Sequence, residues 1–77
     1  MFIGENLTNL RIMKGLSRKQ LSEKLGITEQ AIWQYENNYT SPKMEIVNEL
    51  KSIFQVKAKY FYKKDVLHRY LTQKIYQ

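Results

Sequence analysis

The chain has 77 residues, 43% apolar and 26% charged, with three Gly, one Pro and no Cys. That length supports one small domain with little margin in its core, and the missing cysteine excludes disulfides, thiolate zinc sites and iron–sulfur clusters. Thirteen Lys and Arg against seven Asp and Glu give a net charge of +6, a balance that suits a polyanionic partner, of which nucleic acid is the usual one.

The charge is unevenly placed. Residues 1–42 carry five bases and four acids, whereas residues 43–77 carry eight bases and three acids, so attraction to an anion comes mainly from the second half. No apolar run approaches the ~18 residues of a membrane span. The opening MFIGENLTNLR lacks the basic start and apolar stretch of a signal peptide, which predicts a cytoplasmic protein with no membrane contact.

In chain order, Ile3, Leu7, Leu10 and Arg11 follow the i, i+4, i+7, i+8 spacing of an amphipathic helix. Lys14 continues the same face, and Gly15 supplies a left-handed C-terminus. Ser17 and Gln20 stand three apart, as a capping box requires, with Leu16 and Leu21 in staple positions around it. Leu21 and Leu25 mark the buried face of this second helix, and Gly26 ends it after two turns. Thr28 caps the third helix, with Ile27 and Ile32 as its staple. Ile32, Tyr35 and Glu36 share one face of it; Glu29, Gln30, Trp33 and Gln34 share the other. The turn formers Asn37-Asn38-Tyr39 close it.

Ser41-Pro42 reads as a cap followed by proline at the first position of a fourth helix, whose inner stripe is Met44, Val47, Leu50 and Phe54. Ala58 to Tyr62 reads as a short fifth helix. Asp65 caps a predicted sixth, with Val66, Leu67, Tyr70, Leu71 and Ile75 apolar. No segment alternates like a strand for long, so the expected class is all-α. Arg11 and Glu36 both point inward. Two unpaired buried charges would be prohibitive, and a salt bridge joining them is predicted.

Two short helices joined by a tight turn at a glycine, in a small basic chain, form a helix-turn-helix pattern. The stretch Ser17-Arg18-Lys19-Gln20-Leu21-Ser22-Glu23-Lys24-Leu25-Gly26-Ile27-Thr28-Glu29-Gln30-Ala31-Ile32-Trp33-Gln34-Tyr35-Glu36-Asn37 resembles the phage repressor and Cro (XRE) type of helix-turn-helix domain. The Ser41-Pro42 pair and the Leu50/Phe54 helix match as well, so the resemblance covers roughly residues 5–62.

The resemblance implies a five-helix, repressor-like DNA-binding domain over residues 1–62, followed by a helical extension over 63–77. It further implies a bacterial or phage-encoded transcriptional regulator, most simply a repressor, bound as a homodimer to double-stranded DNA at a palindromic operator. The same family makes the Arg11–Glu36 pairing. Val66, Leu67, Tyr70, Leu71 and Ile75 are then the candidate dimer contacts. The sequence departs from the family in three places. Ser22 stands where Ala is usual and is small enough to pass. Asn38 replaces Gly and tolerates a left-handed backbone next best. Trp33 is unusually large, and core-edge packing is expected of it ahead of a contact with a sugar or thymine methyl.

Only the outward face near the start of a groove-bound helix reaches base edges, which selects Glu29, Gln30 and Gln34 as base contacts. A glutamine amide both donates to and accepts from adenine, and Glu29 can accept from a cytosine amino group. Arg18, at a helix start, is the leading phosphate contact. Ser17, Thr28, Asn37, Tyr39, Thr40 and Lys43 flank it in the resembled fold.

Enzymatic chemistry finds no support. His68 is the lone histidine, with no second metal ligand at a recognisable spacing, and no Walker loop, dinucleotide glycine pattern or Ser–His–Asp spacing occurs. No metal and no cofactor are expected. The competing expectation is a protein-interaction module, such as an antitoxin or another regulator-binding adaptor, with residues 65–77 as the docking helix. RNA binding lacks both a sheet of exposed aromatics and a KH-type loop.

Overall fold

Five helices form over residues 1–64, the part of the chain that the computed structural model describes: α1 (Gly4–Met13), α2 (Arg18–Leu25), α3 (Glu29–Glu36), α4 (Met44–Phe54) and α5 (Lys59–Tyr62). There is no strand among the described residues. The predicted sixth helix, its candidate dimer residues Val66, Leu67, Tyr70, Leu71 and Ile75, and His68 lie outside them.

The start and stop signals act locally. The Ser17 hydroxyl accepts from the Gln20 amide at 3.0 Å, and the Ser17 amide donates to Gln20 Oε1 at 2.8 Å, completing the capping box. Gly26 then takes φ +69°, which ends α2 at no steric cost. Thr28 Oγ1 accepts from the Ala31 amide at 3.1 Å and starts α3 two residues later. α2 and α3 are thereby held in a tight helix-turn-helix corner. Their apolar faces, Leu21, Leu25 and Ile32, enter one core with Leu7 and Leu10 of α1 and Val47, Leu50 and Phe54 of α4.

Three sequence expectations are corrected at helix ends. Lys14 lies beyond α1 as its C-cap and is exposed, not part of the inner face. The fourth helix is capped by Lys43 rather than Ser41, without a side-chain cap bond. Pro42 is buried, and Lys43 is still extended at ψ 161°, so the proline belongs to an extended lead-in and not to the first turn. Met44 therefore becomes the first helical residue and is 62% exposed. Helical side chains lean toward the N-terminus, which carries a first-turn methionine past the edge of the core, and the inner stripe begins at Val47.

The chain ends of the domain close on each other. The Ile3 amide donates to the Phe61 carbonyl at 2.7 Å, and Asn6 Nδ2 donates to the Lys63 carbonyl at 3.1 Å. Phe2 stacks on Phe61 with ring centroids 5.6 Å apart and meets Tyr62 edge-on at 5.9 Å. α1 also passes very near the end of α3. A Cβ built on Gly4 would lie 2.3 Å from the carbonyl oxygens of both Tyr35 and Glu36, so the crossing admits no side chain at that position.

Candidate nucleic-acid interface

With its apolar side in the core, α3 leaves Glu29 and Gln30 fully outside and Gln34 half-buried one turn later. These are the residues expected to reach bases, and they do share the outer face. The Gln34 carbonyl accepts from the amides of Tyr39 at 2.9 Å and Thr40 at 3.4 Å, folding the following turn back over the helix end. That turn reverses at Asn38, which takes φ +60°. The Asn38 side chain also accepts from the Gly4 amide at 3.0 Å, so asparagine does there what glycine cannot. Asn37 Nδ2 donates to the Trp33 carbonyl at 2.9 Å, committing one amide hydrogen to the helix. Tyr39, Thr40 and Lys43 are all exposed beyond it.

The predicted salt bridge is present: Arg11 Nε donates to Glu36 Oε2 at 2.6 Å and Nη2 to Oε1 at 3.4 Å. Arg11 Nη1 also donates to the Leu16 carbonyl at 2.8 Å, which fastens the α1–α2 corner to the same cluster. The structure adds a partner that the sequence did not disclose. Arg18 Nε donates to Glu36 Oε1 at 2.7 Å. The Glu36 side chain is 1% exposed and the Arg18 side chain 41%. One buried carboxylate thus serves two guanidinium groups and the cluster keeps a net positive charge. The Nη groups of Arg18 make no bond among the described residues, which leaves them for an external anion at the start of α2.

The predicted capping box decides which backbone donors the α2 terminus has left. The Ser17 and Gln20 amides are taken by the capping box, so the Arg18 and Lys19 amides are the open donors of that first turn. The Ser17 and Thr28 hydroxyl oxygens accept cap bonds, and each O–H remains a donor.

Trp33 departs from expectation. It is 38% exposed and absent from the core; its ring stacks on Tyr39, which is 72% exposed, with centroids 5.1 Å apart and 26° between planes. The turn of Asn37-Asn38 lifts Tyr39 back alongside the helix, a non-local placement that helical periodicity does not foresee. No group of three or more His, Asp and Glu among the described residues can hold a metal ion, and no helix there is long and apolar enough to cross a membrane.

A family model described as helix-turn-helix matches residues 7–61. The HTH-type transcriptional regulator ImmR of Bacillus subtilis (strain 168) is 29% identical over 65 residues, 84% of this chain and 51% of its own. An uncharacterized HTH-type transcriptional regulator of Rickettsia prowazekii (strain Madrid E) is 49% identical over 35 residues, 46% of this chain and 27% of its own. The chain thus spans from about a quarter to about half the length of the curated relatives it matches. Among solved structures, Bacillus thuringiensis PlcR, in complex with the peptide PapR7 and DNA, superposes at a TM-score of 0.71 with 25% identity, over 82% of this chain and 22% of that one. SinR, described as the master regulator for biofilm formation and also solved with DNA, gives 0.68 with 24% identity, over 75% of this chain and 97% of that one. The likeness to SinR is one of fold.

Proposed function

This chain belongs to the helix-turn-helix family, and from that premise we propose that it is a transcriptional regulator that binds double-stranded DNA and reads the major groove with α3. The observation that carries the reading is the division of α3 into two faces. Its inner face is locked by Ile32 and the buried Glu36 cluster, while Glu29, Gln30 and Gln34 project outward from a helix that a major groove accommodates. The DNA in the PlcR structure supports the assignment.

In this reading Gln30 and Gln34 address neighbouring base pairs, and Glu29 accepts from a cytosine amino group or rejects wrong bases by its charge. Arg18 holds a phosphate through its Nη groups, with Ser17, Thr28, Asn37, Tyr39, Thr40 and Lys43 along the flanking strands. The protein acts as a repressor by occupying its site, without catalysis, in the bacterial cytoplasm. It binds as a homodimer on a palindrome, with the apolar residues of the 65–77 segment joining the two copies. Selection from a random duplex pool tests the function. A recurring motif with two-fold symmetry is the expected result, and a pool that stays unenriched transfers the assignment to a protein-binding adaptor.

A further inference from the structure

Residues Trp33 and Tyr39 form an apolar surface that the base-reading glutamines do not account for. Trp33 follows Gln30 by three residues and Glu29 by four, so at 100° per residue it lies between them in azimuth, one turn further along. Its indole is more than a third exposed although it is the largest apolar side chain in the domain, and the face against Tyr39 is its stacking partner's. The pair is built rather than accidental. The Tyr39 amide is fixed to the Gln34 carbonyl, Asn38 holds the left-handed turn and bonds the Gly4 amide, and Asn37 bonds the Trp33 carbonyl. The two rings thus form one contiguous exposed apolar surface, the kind of feature that marks an interaction site when it is extensive.

We propose that Trp33, braced by Tyr39, is a specificity-determining residue that packs against a thymine 5-methyl group in the major groove. The inference rests on the DNA-reading assignment of α3. If Gln30 and Gln34 reach base edges, the side chain flanked by Glu29 and Gln30 faces the floor of the same groove and not the sugar–phosphate wall. On that floor, thymine C5-methyl is the apolar group that the bases offer. Indole against methyl then discriminates thymine from cytosine by contact, at a base pair adjacent to those read by the glutamine amides.

The test replaces each thymine of the selected duplex in turn by deoxyuridine, which deletes the methyl and nothing else. With the unaltered protein, one such replacement per half-site is expected to weaken binding about 3- to 5-fold, the value of one buried methyl. Trp33→Ala should bind the thymine and uracil duplexes equally, whereas Tyr39→Phe, which keeps the ring, should retain the difference. The proposal is overturned if no thymine-to-uracil change matters, or if Trp33→Ala still distinguishes them; loss of affinity in Trp33→Ala without any methyl effect places the ring on a sugar and overturns it too. The uracil series needs no variant, so it decides even where Trp33→Ala melts early. Normal sequence preference with no methyl effect removes this inference alone, while absence of binding to any duplex removes the DNA reading with it.

Discussion

Glu36 is the residue on which the helix-turn-helix corner turns, because a carboxylate 1% exposed survives only with its counter-charges in place. The inward position of Arg11 and Glu36 on their helical faces made that pair legible in the sequence. Arg18 was not, since as the first residue of α2 it reads as an outward side chain, and only the folded corner brings it within 2.7 Å of Glu36. The extra partner changes the energetics. Arg11→Met still leaves Glu36 one guanidinium, so it should cost about 2–3 kcal/mol, below the ~3–5 kcal/mol of a fully broken buried pair. Arg18→Met, removing a pair open to solvent on one side, should cost about 1 kcal/mol. Together the two should cost more than their sum, because Glu36 is then buried alone. Urea unfolding of the three variants checks this, and strict additivity would mean that Glu36 is satisfied elsewhere.

Among the elements, caps and turns were readable and crossings were not. Ser17, Gly26 and Thr28 act on neighbours within a turn, so their pattern survives in a linear string. The contact of α1 with α3 at Gly4, and the seating of Phe2 on Phe61, join residues far apart in the chain, and no periodicity encodes them. The misplaced start of α4 has the same origin: Ser41-Pro42 is a valid local start signal that burial of the proline overrides. The crossing yields its own expectation. Gly4→Ala places a methyl against two backbone carbonyls that no rotamer change can move, so α1 must shift from α3 at a cost of about 2–3 kcal/mol. Thermal melting measures it, and a parent-like midpoint would show that the helices separate freely.

At the scale of the molecule, the outer face of α3 was legible, and the aromatic pair beside it was not. Gln30 and Gln34 follow from helical spacing alone, whereas Tyr39 reaches Trp33 through a turn whose course depends on the Asn38 bond to Gly4. Assembly belongs to this scale too. If residues 65–77 join two copies, a chain ending at Lys64 should sediment as a monomer where the full chain dimerises, and it should bind one half-site with the same base preference. An unchanged monomer–dimer equilibrium would move the dimer contact onto the five-helix domain.

The central claim, that α3 reads bases while the α2 terminus holds phosphate, predicts two different salt signatures. The measurement is duplex affinity against salt concentration, on the selected site and on random DNA, for Arg18→Ala, Gln30→Ala and Gln34→Ala. Arg18→Ala should flatten the slope of log affinity against log salt by about one and weaken both duplexes alike. Each glutamine variant should leave the slope unchanged and lose about 1–3 kcal/mol on the selected site alone. Equal losses on selected and random DNA for both glutamine variants would contradict the account.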